Sequence, residues 1–101
     1  MKFRFSILAG FALALVLPDA QAGNMAHGQQ LYAMHCAGCH GMRGEGVMPE
    51  APKFRNGERL EQPDMMLMQS VRNGKNKMPP FFGLLKDPDI LDILIYVRSL
   101  R

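Results

Sequence analysis

The sequence contains no tryptophan and only two cysteines, Cys36 and Cys39, among its 101 residues. Two cysteines form at most one disulfide, and a small domain usually needs a further means of stabilising its limited core. Lysine and arginine nearly balance aspartate and glutamate, with a formal net charge of +3, and the basic residues are scattered along the chain. This charge pattern excludes the basic patch or stripe that is typical of a nucleic-acid-binding surface.

Long apolar runs are also missing. The longest candidate, Phe5 to Leu17, is shorter than the roughly 20 residues that a membrane-spanning helix needs. Two basic residues precede this run, and the small-residue sequence Ala20-Gln21-Ala22 follows it. A charged start, a short apolar core and a small-residue end are typical of a secretory signal peptide. We therefore predict a signal peptide at residues 1–22, cleaved after Ala22, and one exported domain at residues 23–101 without a membrane span.

Three segments have the features of helices. The first is Met25 to His35, the second Met65 to about Asn73, and the third about Asp89 to Leu100. The apolar set of the third helix is too broad for one stripe, so we expect this helix to be buried on more than one side. Glycine and proline predict two long loops, at residues 41–62 and 75–86. No strand alternation is visible, and the predicted fold class is all-α.

The pentapeptide Cys36-Ala37-Gly38-Cys39-His40 matches C-x-x-C-H, the attachment signature of c-type haem. Two thiols one turn apart can add to the two vinyl groups of the porphyrin, and the histidine that follows can bind iron from below the ring. A thioredoxin-like dithiol would require a neighbouring βαβ pattern, which the sequence lacks. A zinc site normally uses a second ligand pair, whereas His27 and His35 are the only other histidines. The predicted cofactor is one haem c, bound covalently through Cys36 and Cys39.

A second axial ligand is expected for an electron carrier, and methionine is a common choice. Met78 is the preferred candidate because it precedes Pro79, and a residue before proline is driven out of the helical conformation. Pro79 and Pro80 stiffen a loop that could cross the face of the haem. Methionines on helices more often fill core gaps. The alternatives are Met65, Met48 and Met68, followed by His27.

At these residues the sequence resembles the class I c-type cytochromes, over essentially the whole mature chain. The similarity comprises Gly28 to Tyr32, Cys36 to Gly41, Ala51 to Phe54, Asn73 to Phe81, and Leu91 to Leu100 with Tyr96. The resemblance implies a small cytochrome c fold, with about three main helices and two long loops wrapped around one haem. It implies that the backbone carbonyl of Pro52 orients His40, although Pro49 competes for this role. Arg55, Asn56 and Arg59 are open alternatives for contacts with the haem propionates.

The function expected from these features is that of a periplasmic single-electron carrier, not an enzyme. Its iron would cycle between Fe(III) and Fe(II) with His40 and Met78 as axial ligands. We expect a monomer that meets redox partner proteins. The alternatives are a small haem subunit of a larger oxidoreductase and a haem sensor or enzyme with a labile sixth ligand.

Two further sets of residues are expected to lie near the haem. Basic side chains expected to surround the haem edge are Arg43, Lys75, Lys77 and Lys86; apolar side chains expected to pack on or behind the ring are Leu31, Phe54, Leu67, Val71, Leu84, Leu91, Leu94 and Ile95.

Overall fold

The computed structural model describes Gly10 and residues 23–101. Apart from Gly10, the predicted signal peptide at residues 1–22 lies outside the described residues. The described chain forms four α-helices and a single 3-10 turn at Phe54–Asn56. The helices are α1 (Met25–His35), α2 (Ala37–His40), α3 (Asp64–Asn73) and α4 (Asp87–Ser99). Within this part of the chain there is no strand, and the predicted all-α fold class is confirmed. No helix among these residues has the length and apolar character needed to cross a bilayer.

The long helices lie where the sequence predicts them, with small shifts at their starts. Helix α1 has the predicted bounds, and the side chain of Asn24 caps it by accepting the His27 N–H. Helix α4 begins at Asp87, two residues earlier than expected. The reason is that the Lys86 N–H donates to Asp89 Oδ2 at 3.0 Å, which caps the first turn from Lys86. The additional helix α2 is a single turn that coincides with the C-x-x-C-H motif.

Helices α1 and α4 form the main packing contact of the described chain, and a glycine lies where they cross. A Cβ atom on Gly28 would collide with the backbone carbonyl of Asp92 and lie 3.0 Å from the Ile93 nitrogen. Beside this crossing, Tyr32 is fully buried and meets the ring of Tyr96 edge-on, with ring centroids 5.2 Å apart. The close approach buries Ile90, Ile93, Leu94 and Val97, which lie on a single face of α4, and leaves Leu91 exposed. The expected burial of α4 on more than one side was therefore wrong for the described residues.

Helix α4 also binds the segment that precedes α3. The guanidinium of Arg98 donates to the Leu60 carbonyl at 2.7 Å, to the Gln62 carbonyl at 2.9 Å and to Asp64 Oδ1 at 2.7 Å. The Leu60 and Gln62 carbonyls lie in a segment without regular structure. Arg98 therefore supplies hydrogen bonds to carbonyl groups that are not paired within a helix. The fork geometry of arginine makes three such bonds possible from one side chain.

Asp92 connects the start of α1 to the middle of α4. Its Oδ1 accepts the Asn24 N–H at 2.8 Å, and its Oδ2 lies 2.8 Å from His27 Nδ1. Burial favours the neutral carboxyl and raises the pKa of Asp92, but the hydrogen bonds from Asn24 and His27 outweigh burial and hold that pKa below its ordinary value. The pair with His27 places this histidine at the α1–α4 contact.

We expect this carboxylate to make the protein sensitive to acid. A depressed pKa stabilises the fold above the ordinary carboxyl pKa, and the stabilisation is lost as the pH falls through the lower value of the folded state. Between about pH 5 and pH 2, the native protein should therefore lose more unfolding free energy than an Asp92→Asn variant. Urea unfolding at several pH values measures this difference. Equal pH dependence in the two proteins would contradict the assignment, and Glu61→Gln, at an exposed carboxylate, provides a control.

Candidate haem-binding site

Helix α2 brings the two cysteines and His40 into one helical turn. Cys36 forms the N-cap, the His40 N–H donates to the Cys36 carbonyl at 2.9 Å, and the Gly41 N–H donates to the Ala37 carbonyl at 2.8 Å. Neither thiol forms a disulfide in the part of the chain that the structure describes. Cys39 is exposed, whereas Cys36 is half-buried, and this burial raises the pKa of its thiol to about 11. Two unpaired thiols on one turn suit covalent attachment of a haem.

The imidazole of His40 is oriented by two groups of the following loop. Its Nδ1 lies 3.2 Å from the Pro52 carbonyl oxygen. A carbonyl can only accept, so Nδ1 carries the proton in this bond and Nε2 is left with a lone pair. The ring of Phe54 stacks on the imidazole, with centroids 4.4 Å apart and planes inclined by 17°. Burial lowers the pKa of His40 and the Pro52 bond opposes it only in part, so the neutral form that binds metals is favoured.

The path of the loop decides which proline meets His40. The Gly46 N–H donates to the His40 carbonyl at 2.7 Å, and the N–H groups of Val47 and Met48 both donate to the Cys39 carbonyl at 2.9 Å. These bonds fold the loop back along α2 before Pro49 is reached. The Arg55 N–H then donates to the Gly44 carbonyl at 3.0 Å, which brings the chain back again. As a result Pro52, not Pro49, contacts the imidazole.

Met78 lies in a tight turn that follows α3. The Lys75 N–H donates to the Met78 carbonyl at 3.0 Å, and the Met78 N–H donates to the Lys75 carbonyl at 2.9 Å. Gly74 and Asn76 adopt positive φ values of 75° and 53°, which permit this turn. The side chain of Met78 is half-buried against the apolar core, which Cys36 also contacts. The turn therefore keeps Met78 out of any helix, as the following proline predicts.

Two contacts join the Met78 loop to the elements around the C-x-x-C-H motif. Lys77 Nζ lies 2.7 Å from Glu50 Oε1, in the loop whose Pro52 carbonyl binds His40. On the other side of the motif, the ring of Phe81 meets the ring of His35 edge-on, with centroids 6.0 Å apart. These contacts flank Met78 in the sequence, so the loop with Met78 is bound both to the segment before the cysteines and to the loop after them.

The other candidates for the sixth ligand lie in less suitable places. Met68 is buried in the apolar core, and Met65 is 64% exposed on α3. Met48 is half-buried, and its N–H is bound to the carbonyl of Cys39 on the α2 side of the site. His27 is paired with Asp92 at the start of α1. Among these residues, Met78 alone combines a non-helical turn with a half-buried side chain that packs against the apolar core.

The apolar side chains expected near the ring separate into two groups. Leu67 and Leu94 are buried, and Leu31, Phe54 and Val71 pack against the same core. Leu84 and Leu91 are exposed, and Ile95 is half-buried. The sequence pattern does not predict the stacking of Phe54 on His40, the Lys77–Glu50 ion pair or the hydrogen bond from the Tyr32 hydroxyl to the Gly41 carbonyl. An aromatic residue two positions after the proline is the one signal for the first of these contacts.

Comparison with known proteins shows which family the chain resembles. The family model described as "Cytochrome C oxidase, cbb3-type, subunit III" matches residues 23–97. Cytochrome c6 of Thermosynechococcus vestitus is 38% identical over 104 residues, covering 96% of this chain and 91% of that protein. Cytochrome c6 of Cyanidioschyzon merolae is 40% identical over 82 residues, covering 77% of this chain and 76% of that protein.

A solved structure is similar as well. Cytochrome CL from Methylophaga aminisulfidivorans MPT superposes with a TM-score of 0.60 at 27% identity. The match covers 74% of this chain but only 51% of that one, so this chain spans about half the length of that protein. The shared part is a cytochrome c fold, which agrees with the all-α arrangement described above.

The chain belongs to the cytochrome c family, as a class I monohaem c-type cytochrome. Its homologues include the cytochromes c6, and it is an electron-transfer protein rather than an enzyme. Family membership implies one covalently bound haem c. The residues described here fit this group, because two unpaired thiols, an oriented imidazole with a lone pair and a half-buried thioether are the donors that haem c requires.

Proposed function

We propose that this protein is a periplasmic single-electron carrier whose haem is attached through Cys36 and Cys39, with His40 and Met78 as the axial ligands of the iron. One observation supports the proposal above all others. His40 Nδ1 is committed to the Pro52 carbonyl at 3.2 Å, so Nε2 is the nitrogen available for iron, next to two unpaired thiols. Such a bond to the second nitrogen of a metal-binding histidine fixes the tautomer and the ring orientation and increases the basicity of the ligand.

The haem supplies a reversible one-electron couple, and the chain supplies its ligands and its surroundings. The Pro52 carbonyl binds the edge of the His40 imidazole, and the ring of Phe54 stacks on its face. Two backbone hydrogen bonds close the turn from Lys75 to Met78 and hold Met78 outside any helix. If His40 and Met78 both bound the iron, they would leave no coordination site for oxygen, peroxide or a substrate, and the haem would supply electron transfer only.

The periplasmic location rests on the predicted signal peptide at residues 1–22 and on cleavage after Ala22. Attachment of haem to C-x-x-C-H takes place in the periplasm in exported cytochromes of this type, which agrees with export of residues 23–101. We propose that the mature protein is a monomer and transfers electrons between other redox proteins. Analysis of the N-terminus of the periplasmic protein tests the cleavage site, and a start other than Gly23 would contradict it.

The experiment that tests the central proposal is an optical and redox titration of the purified periplasmic protein, combined with its intact mass. We expect a mass increment of one haem, a low-spin spectrum in both oxidation states, and the weak far-red band of methionine ligation in the oxidised form. We also expect one reversible one-electron transition and no rapid binding of CO to the reduced protein. A colourless protein without the increment would refute the proposal, and a high-spin spectrum would favour a sensor or enzyme.

A second candidate function is that of a haem subunit in a larger oxidoreductase. The description of the matching family, subunit III of a cbb3-type oxidase, favours this function. The exposed apolar side chains of Phe82 (73%) and Leu84 (62%) would then contact another subunit. Size-exclusion chromatography of extracts decides between the two functions. A carrier elutes at the size of the monomer, whereas a subunit elutes with its complex.

The basic residues near the site predict a dependence of electron transfer on salt. Lys75, Lys77 and Lys86 are all exposed, and Lys77 is also paired with Glu50 at 2.7 Å. We expect Lys75→Gln and Lys86→Gln each to slow electron transfer to an acidic partner roughly threefold at low ionic strength. Lys77→Gln should slow the transfer by a similar factor, because it removes the same unit of charge and leaves Glu50 without its partner. Stopped-flow rates against ionic strength measure this, and the absence of any salt dependence would exclude steering by these charges.

A further inference from the structure

Tyr32 contacts both ends of the turn that contains the two cysteines and His40. Its backbone carbonyl accepts the Cys36 N–H at 2.9 Å, at the first residue of the motif. Its hydroxyl donates to the Gly41 carbonyl at 2.6 Å, at the residue that follows His40. One residue of α1 thus binds the turn before its first cysteine and after its histidine.

The surroundings of Tyr32 fix the position of both groups. Its side chain is fully buried, and its ring meets that of Tyr96 edge-on between α1 and α4. Burial raises the pKa of the Tyr32 hydroxyl well above its ordinary value, so the hydroxyl stays protonated and remains a donor at neutral pH. A hydrogen bond in a buried site is electrostatically stronger than the same bond at the surface.

The Gly41 carbonyl, which Tyr32 binds, accepts two hydrogen bonds. The oxygen of Gly41 also accepts the Gly44 N–H at 3.1 Å, which closes the first turn of the loop after His40. That loop continues through Gly46, whose N–H binds the His40 carbonyl at 2.7 Å, toward Pro52 at the edge of the imidazole. The Gly41 carbonyl therefore joins the Tyr32 hydroxyl to the loop that leads to Pro52.

We propose that Tyr32 is a positioning residue, which holds the haem-attachment turn against the α1–α4 contact and so fixes the orientation of the imidazole of His40. The inference rests on the proposed function, since it assumes that His40 binds the iron. It adds that the packing of the two terminal helices determines the geometry of the axial ligand through one hydroxyl group. No part of this role requires Tyr32 to contact the haem.

The test compares Tyr32→Phe with Tyr96→Phe in the haem-loaded protein. The two substitutions remove one hydroxyl each from the same aromatic pair, and the Tyr96 hydroxyl makes only a long contact of 3.5 Å with the adjacent Met42 carbonyl. We expect Tyr32→Phe to keep its haem, to shift the g values of the ferric EPR spectrum, and to speed hydrogen exchange of the Gly44 and Gly46 amides roughly five- to tenfold relative to α3 amides. Tyr96→Phe should leave these quantities unchanged.

Several outcomes would overturn the inference. Identical EPR spectra and local exchange rates in the two variants would show that the short bond positions nothing. Equal acceleration of amides throughout the chain would show a role in overall stability only. In the native protein, the Tyr32 hydroxyl proton should exchange slowly enough to be observed by NMR, and its absence would contradict the bond even if Tyr32→Phe did not fold. A native protein that lacks haem would refute the proposed function instead. The intact mass shows this result without any comparison of the two variants.

Discussion

A Met78→Leu variant is expected to keep its covalent haem but to lose the far-red band of the oxidised protein and to bind CO rapidly when reduced. Leucine preserves the apolar volume that Met78 places against the core, but it has no atom that can bind iron. Methionine ligation favours Fe(II), so its loss should lower the midpoint potential by on the order of 0.1–0.3 V, within the roughly 0.8 V over which axial ligands set haem potentials.

The controls for this experiment are the other methionines that the sequence left as alternatives. Met65→Leu changes an exposed side chain on α3, and Met48→Leu changes a half-buried one in the loop after His40. Both variants should retain the far-red band and the native potential. If one of them lost the band while Met78→Leu kept it, the sixth ligand would be assigned to that methionine and the role of the Lys75–Met78 turn would be wrong. Optical spectra and potentiometric titration give both readouts.

A Gly28→Val variant is expected to be the most destabilised single substitution in the terminal helices. The new side chain would collide with the Asp92 carbonyl on α4, and neither backbone can yield without separating α1 from α4. Forcing atoms into such a contact costs about 3 kcal/mol or more of unfolding free energy. Domains of this size have only about 5–15 kcal/mol in total, so the loss is a large fraction of the stability.

The matched control is Gln29→Val, at the neighbouring exposed position of α1. It imposes the same β-branched residue on the same helix, so it measures the cost of valine in a helix without the collision, which is a few tenths of a kcal/mol. Denaturant unfolding of the haem-loaded proteins compares the two. If Gly28→Val were no less stable than Gln29→Val, the close approach of α1 and α4 at Gly28 would be wrong.

The three long helices were predictable because their signals are local. Asn24, Pro63 and Pro88 mark helix starts through caps and fixed φ values, and these depend on a few neighbouring residues. The start of α4 differed by two residues, because the bond from the Lys86 N–H to Asp89 extends the helix toward its N-terminus. Such shifts at helix ends follow from single capping bonds and not from the apolar pattern.

The surroundings of the site were less predictable, for a different reason. The choice between Pro49 and Pro52 depends on how the loop after His40 folds back along α2, which no short pattern expresses. The stacking of Phe54 and the pair between Lys77 and Glu50 likewise depend on the course of the chain. The basic residues were predicted as one group, but the structure distinguishes Lys77 from the others because it alone among them is recorded in an ion pair within the described residues.

By itself, the sequence determined the chemistry of the site. The spacing of Cys36, Cys39 and His40 is set by covalent geometry within one turn, and the proline after Met78 restricts that residue whatever the rest of the chain does. The tertiary structure decided how these groups are oriented. Hydrogen bonds such as those from Tyr32 to Gly41 and from Asn24 to Asp92, separated by 9 and 68 residues, arise when helices pack and loops close. Packing and loop closure depend on the whole chain at once, so the residues near each group do not reveal them.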